Sequence, residues 1–346
     1  MRWRLAVIPA TLVPILVIAA QFDIGIEDVL AIGALPFAAA AGAMMAKLGL
    51  QGAKFAYITR SYLAGFDSVA RLAGVRVGSE FVKFTTPMFV GAEFVVIYYL
   101  HKKGVDASRA SWIAIMDIVT EVLAAGILSA VAGVIALAAG AYVVAAVVLG
   151  TSISVTSLWV ALFFLSSRRN FQVPRPLAAA AVRVGGERAA KYVGKTDEWM
   201  TDICTMSREH MGTRKARRVF TVSFLLSLAS WGFYGISFAA VAAGVGYAVG
   251  LLDSVMAVMA ANAVGNLPIT VGGSGLAEIG IIAYLNDLNP FDLGERGGDL
   301  EWDAVIGWRI ATYYFPILVT WLLLVKLALS RIKGGTAGTP IRDPEV

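Results

Sequence analysis

Cysteine, histidine and charge are scarce in this chain, and each scarcity excludes something. The single cysteine, Cys204, rules out an internal disulfide framework and a cysteine-based metal cage. The two histidines, His101 and His210, lie in separate polar segments without a second ligand at metal spacing, so neither zinc nor any other metal or cofactor is expected. Charged residues make up only 15% of the 346 positions, whereas a soluble domain carries about a quarter. Familiar enzyme signatures are missing too. Gly272-Gly273-Ser274-Gly275-Leu276 does not read Gly-x-Ser-x-Gly, and no Lys-Ser or Lys-Thr follows to complete a phosphate loop.

What is present is apolar surface. Apolar residues account for 58% of the sequence, and mean hydropathy is +0.73. Several apolar runs exceed the roughly 18 residues that mark a transmembrane helix, so the expected fold class is an all-α polytopic membrane protein. Met1-Arg2-Trp3-Arg4 and the apolar run behind it mimic a signal peptide, but no small-residue cleavage site precedes a polar region, so a retained first span is expected. The net charge of +5 does not imply nucleic acid, because membrane proteins gather Lys and Arg on cytoplasmic loops.

Apolar runs at 5–20 and 29–45 are the first two spans, separated by an acidic loop with Asp23, Glu27 and Asp28. Residues 47–78 carry Lys47, Lys54, Arg60, Arg71 and Arg76 against one acid, Asp67. Within them Phe55, Ile58, Tyr62, Phe66 and Val69 recur at helical spacing, which fits a helix at the cytoplasmic interface or an extension of the second span. Residues 79–100 are apolar but broken at Thr86-Pro87. Spans at 108–137 and 142–165 follow, then a polar stretch at 166–218 with twelve basic and five acidic residues. A span at 219–245, a second broken region at 251–285, an acidic loop at 286–303 and a last span at 304–329 complete the chain.

The two breaks decide the topology. Residues 267–278 read Leu-Pro-Ile-Thr-Val-Gly-Gly-Ser-Gly-Leu-Ala-Glu, with a proline that ends a helix and glycines that permit unusual backbone angles. In lipid, such a break is tolerated only where protein or a water-filled cavity satisfies the freed backbone groups. If 79–100 and 251–285 are re-entrant hairpins, about six full spans remain and both termini are cytoplasmic. Every basic loop then falls inside and every acidic loop outside. Residues 1–330 form a single integral domain of the cell membrane, and 331–346 form a cytoplasmic tail. The hairpins enter from opposite sides, giving an inverted repeat of Thr86-Pro87-Met88-Phe89-Val90-Gly91 against Leu267-Pro268-Ile269-Thr270-Val271-Gly272.

These residues carry a resemblance. The first hairpin with Lys83, Pro87, Gly91 and Glu93, followed by Asp117 and Glu121, resembles the lysylphosphatidylglycerol synthase transmembrane family. The second, from Pro268 to Glu278, is similar to that family's Pro-Gly-Gly-x-Gly-x-x-Glu element, although Ile269-Thr270-Val271 separate Pro268 from Gly272 here. Arg309, Tyr313, Tyr314 and Pro316 resemble its closing pattern. The family's soluble aminoacyl-transferase domain has no counterpart in this chain. The resemblance implies lipid handling, a flippase or scramblase-like transfer of a phospholipid, glycolipid or polyprenyl-phosphate-linked sugar between leaflets.

The candidate translocation residues are Lys83, Pro87, Gly91, Glu93, Asp117, Glu121, Asn262, Asn266, Pro268, Gly272, Gly273, Gly275, Glu278, Arg309 and Tyr313. Lys83 and Arg309 suit a phosphate, and Glu93 and Glu278 balance those cations or bind a cationic headgroup. Asn262 and Asn266, four apart, share a helix face. The helix N-termini after Pro87 and Gly275 offer free N–H donors to an anion. Structural alternatives stand beside these roles. Lys83 can snorkel to the surface. Asp117 and Glu121 can pair with Lys102, Lys103 or Arg109, or one can be protonated, and Arg309 can pair with Asp303 or Glu301. Trp3, Trp159, Trp231, Trp302 and Trp308 read as interface anchors, and the loop helix around Trp199, Ile203 and Met206 as resting on the membrane or a partner. A transporter is favoured over an enzyme. The alternatives are a membrane-embedded transferase using a polyprenyl-phosphate sugar, with Glu93 or Asp117 as base, and a non-catalytic subunit that docks a cytoplasmic glycosyltransferase. Self-association as a homodimer is left open.

Overall fold

The computed structural model describes residues 30, 32–86, 91–166, 168, 170–247, 249–267, 273, 275–287 and 302–333. The first apolar run, the acidic loop at 288–301, and the site candidates Pro87, Pro268 and Gly272 lie outside the described residues. Within them every regular element is helical. Helix α1 (Ala34–Tyr62) runs unbroken for 29 residues, about 44 Å, through much of the stretch that charge alone assigns to a cytoplasmic loop. Phe55 and Ile58 are buried in its packing face, so this segment continues the helix of the second apolar run and packs into the bundle.

Helix α1 packs side by side with α7 (Arg214–Gly244) in the opposite direction. Gly244 backs onto Ile32 and Pro36, Lys47 meets Trp231, and Lys54 meets Ser227. Helices α4 (Ala107–Ala138) and α5 (Tyr142–Ser166) form a second antiparallel pair held close by small residues. A Cβ on Gly133 would come within 2.7 Å of Leu149, and one on Gly126 would collide with Thr156. Small residues suit helix association in lipid, where close backbone approach replaces the hydrophobic effect as the driving force. Among the described residues four segments are long and apolar enough to cross a membrane: Ala107–Ala138, Tyr142–Ser166, Arg214–Gly244 and Ala304–Leu327.

Each broken region folds as two short helices packed against one another. The first pair is α2 (Val69–Phe84) and α3 (Ala92–Lys102). Its first arm begins ten residues earlier than the expected start at Ser79, because Ser68 caps it by accepting from the Arg71 amide at 3.3 Å. Near the open end, Tyr99 donates to Asp67 at 2.5 Å. Close to the tip, Gly91 takes φ 127. The second pair is α8 (Leu251–Gly265) and α9 (Leu276–Asp287), where a Cβ on Gly280 would sit 3.0 Å from Ala261. Gly273 has φ 65, and its backbone lies so close to Gly265 that a Cβ would be 2.8 Å from that carbonyl oxygen. All four arms, of 16, 11, 15 and 12 residues, are shorter than the roughly 30 Å hydrocarbon core.

The pairs open at opposite ends of the bundle. Asp67 and Tyr99 lie past the end of α1 marked by Tyr62, whose ring meets His210 at 5.5 Å. Helix α8 starts beside the other half of α7, with Val255 against Gly235. The basic stretch contains α6 (Arg175–Met211), bent at Gly186 (φ 60, ψ −145). Its second half rests on the protein's own bundle. Ile203 and Cys204 are buried, and Trp199 Nε1 donates to Ser111 Oγ at 3.2 Å. The chain closes with α10 (Trp302–Arg309), a π-helical turn (Ile310–Tyr314) and α11 (Phe315–Lys333). Trp231 and Trp308 are core residues and not interface anchors. Trp308 is fully buried and donates to Ser237 Oγ at 3.2 Å.

Candidate functional site

Three helices carry polar stripes into the bundle. Lys47, Gln51 and Lys54 on α1 are spaced i, i+4, i+7, as are Arg76, Glu80 and Lys83 on α2. Asp117 and Glu121 on α4 are spaced i, i+4. This spacing puts each set on one helix face. Where the faces meet, Arg76 spans three carboxylates. Its Nε donates to Asp117 Oδ2 at 2.7 Å, its Nη2 to Glu121 Oε2 at 2.9 Å, and its Nη1 to Glu80 Oε1. Lys54, wholly buried, reaches Asp117 Oδ1 at 3.1 Å and donates to Ser227 Oγ at 3.2 Å. Lys83 donates to Glu121 Oε1 at 2.6 Å, and Gln51 Nε2 donates to the same oxygen at 3.1 Å.

Asp117 and Glu121 are therefore held together by cations from other helices and not by Lys102, Lys103 or Arg109. Lys83 does not snorkel outward, because its nearest carboxylates face inward. Such a network contributes little net stability, since desolvation offsets the attraction, but removing one member strands a buried charge.

A second ion pair stands apart from the first. Arg309 Nε donates to Glu278 Oε1 at 2.6 Å, joining α9 to the last helix. Glu278 supplies the partner that Asp303 or Glu301 was expected to supply; Glu301 and the Asp303 side chain lie outside the described residues. The Arg309 guanidinium lies 4.4 Å over the Tyr313 ring, and the Tyr313 hydroxyl donates to the Phe84 carbonyl at 2.7 Å. That bond ties the pair to the tip of the first hairpin. The π-helical turn begins one residue after Arg309, a kind of bulge frequent at functional sites. Among the described residues Glu278 Oε2 is buried without a hydrogen-bond partner.

Between the hairpin tips lies a cavity of about 280 Å³. Lys47, Glu80, Lys83, Glu93 and Glu121 line one side, and Asn262 and Asn266 of α8 line another. Trp231 and Tyr234 of α7 box the Lys47 ammonium, which lies 4.1 Å from each ring centroid. The α5 wall is largely apolar, with Val155, Leu158, Trp159 and Leu162 beside the hydroxyl residues Thr151, Ser152 and Thr156. Leu158 and Leu162 are exposed on the bundle's outer surface as well. The structure thus gathers Lys83, Glu93, Glu121, Asn262 and Asn266 around one space, with Asp117 behind Glu121 in the network. Arg309, Glu278 and Tyr313 stand outside the lining. The N-terminus of α3 is not open to an anion, because Glu93 Oε2 accepts from the Gly91 amide at 3.1 Å. Glu278 stands in the first turn of α9, where the helix dipole favours its charge.

Lys47, Gln51, Lys54, Arg76 and Glu80 were not among the sequence candidates. Their signal was present as the i, i+4, i+7 stripe, but counting Lys and Arg as loop residues hid it. Among the described residues no group of His, Cys, Asp and Glu is placed to hold a metal ion.

Residues 10–320 match the family model described as the lysylphosphatidylglycerol synthase TM region. No curated protein and no solved structure matches the chain. A match over that much of the sequence makes the assignment plain: the chain belongs to this family.

Proposed function

We propose that this member of the family is a lipid translocase, flippase or scramblase-like, which passes a polar headgroup through the cavity between the two hairpin tips. In this reading six full spans and two re-entrant hairpins cross or enter the cell membrane, and both termini are cytoplasmic. The observation that carries it is the cavity itself: charged and amide side chains on the inner walls, and on the outer one an α5 wall whose Val155, Leu158 and Leu162 are apolar. A charged headgroup in hydrocarbon costs several kcal/mol at least. Lys83, Asn262 and Asn266 offer it hydrogen bonds, while hydrocarbon chains stay in the bilayer past Leu158 and Leu162. Hairpins opening at opposite ends suit rocking of one half against the other, and the Tyr313–Phe84 bond lies where the halves touch.

Proteoliposomes containing trace fluorescent phospholipid test this through the fraction quenched by an impermeant reductant. The intact protein should accelerate leaflet exchange, and Lys83→Ala combined with Asn262→Ala should slow it by about tenfold, the loss of one or two charge-assisted contacts. No acceleration over empty vesicles, or full activity in the double variant, would falsify this function. Glu93 keeps a transferase reading in view, since it lines the cavity and no cation pairs with it among the described residues. Asp117 is engaged by Lys54 and Arg76 and does not line the cavity. Radiolabel transfer from a polyprenyl-phosphate sugar would favour that chemistry.

A further inference from the structure

We propose that Lys47 is the anion-recognition residue of this cavity, selecting lipids whose headgroup carries a phosphodiester without a compensating amine. The inference rests on the translocation reading of the same cavity and adds the class of substrate.

Lys47 differs from its neighbours. It is only 6% exposed, it lines the cavity, and it makes neither an ion pair nor a hydrogen bond among the described residues. Among the described residues its ammonium meets only the faces of Trp231 and Tyr234. Ring faces attract a cation, but they leave its three N–H donors without the oxygen acceptors water would give. Every other buried cation of the network has a carboxylate. Lys54 has Asp117, Arg76 has Glu80, Asp117 and Glu121, and Lys83 has Glu121. Lys47 is thus the member left over.

The acidic groups lead to the same conclusion. Glu80 and Glu121 line the cavity, but Arg76 and Lys83 already engage them. Glu93 is turned back on the Gly91 amide at the N-terminus of α3, where the helix dipole compensates its charge. An ammonium-bearing headgroup therefore meets carboxylates with partners and one unanswered Lys47. A phosphodiester alone supplies the missing acceptors, and Asn262 and Asn266 add neutral amide donors opposite. The two rings fix where the anion must come, since they block two sides of the ammonium. The same chemistry would accept a soluble phosphate ester, but the exposed apolar wall at Leu158 and Leu162 suits a molecule with hydrocarbon chains.

The test uses the full chain with phosphatidylglycerol as the anionic probe and phosphatidylcholine as the zwitterionic one. Retention of each lipid is measured by native mass spectrometry of the detergent-purified protein, and exchange of each in proteoliposomes. The wild type should favour the anionic lipid by about tenfold in both. Lys47→Met should bring the ratio close to one, and Lys47→Arg should keep it. Folding is checked independently by the thermal unfolding of each variant. Equal retention of both lipids by the wild type, or an unchanged ratio in a folded Lys47→Met protein, overturns the assignment. So does displacement of the lipid by soluble glycerol phosphate, which would make the ligand a water-soluble ester. If the wild type retains the anionic lipid through Lys47 but does not speed exchange, recognition stands and translocation falls.

Discussion

The two hairpins share a shape and differ in chemistry. The first delivers Arg76, Glu80 and Lys83 into a network in which each charge has more than one partner. The second delivers one carboxylate, Glu278, to one cation, Arg309, and otherwise offers the amides of Asn262 and Asn266. Backbone fit differs as well. The first tip meets its surroundings through side chains, with Val82 beside Gly91, whereas Gly273 rests on the backbone of Gly265. The likeness is therefore geometric: two helix breaks bring short helices to one cavity from opposite ends. Among the described residues the chemistry is not duplicated, and the charged half and the amide half complement each other around whatever lies between them.

The largest effect should come from Arg76→Met, which takes a partner from Glu80, Asp117 and Glu121 at once. Stranding these buried carboxylates should cost about 3–5 kcal/mol, read as a lowered unfolding temperature in detergent. Glu278→Gln comes next. It removes a single charge and leaves Arg309 an acceptor, so the cost should be about 2–3 kcal/mol. A double variant with Arg309→Met should recover part of it. If Arg76→Met costs no more than Glu278→Gln, the distinction between a shared network and a lone pair collapses.

A smaller effect separates strain from contact at the second tip. Gly273→Ala must adopt φ 65 and also meet the Gly265 carbonyl at 2.8 Å, whereas Gly65, at φ 69, has nothing within 4 Å of a new Cβ. Both should lose about 1 kcal/mol to backbone strain, with Gly273→Ala losing more through the contact. Equal losses would show that the tip backbones are not in tight contact.

The smallest effect lies at the mouth of the first hairpin. Burial alone would raise the Asp67 carboxyl, but hydrogen bonds from Tyr99 and the Ser68 amide, with Lys103 nearby at 3.2 Å, hold it below its usual 3.8. A carboxyl with a depressed folded value stabilises above its unfolded value, and loses that contribution as pH falls through the folded one. The unfolding temperature of the wild type should thus exceed that of Asp67→Asn at neutral pH, by less than about 1 kcal/mol of stability. The gap should close below about pH 4. A gap that does not change with pH would show that the Asp67 charge does not hold the open end of this hairpin.

Much of the architecture is legible in the residues. The spans at 108–137 and 142–165 fall within a residue of α4 and α5, because long apolar runs have no other stable form in lipid. The second break is marked by its glycines, and Gly273 and Gly275 do adopt positive φ. Glu278 and Arg309 stand out in the sequence as candidates from their positions, but their pairing does not. They lie 31 apart in sequence, and nothing local selects one carboxylate over another. Lys47, Lys54 and Arg76 misled the charge count for a related reason. A basic residue in a membrane protein is usually a loop residue, and only the stripe spacing on α1 and α2 marks these as inward.

The sequence by itself determined that the chain is helical, that it belongs in a membrane, and where two helices must break. Those are local matters of hydropathy, proline and glycine. Tertiary structure alone decided which charges meet: Lys54 and Arg76 with Asp117, Arg309 with Glu278, and Lys47 with two rings. A buried charge is satisfied by whatever the packing brings within about 4 Å, and packing joins residues that the chain keeps far apart.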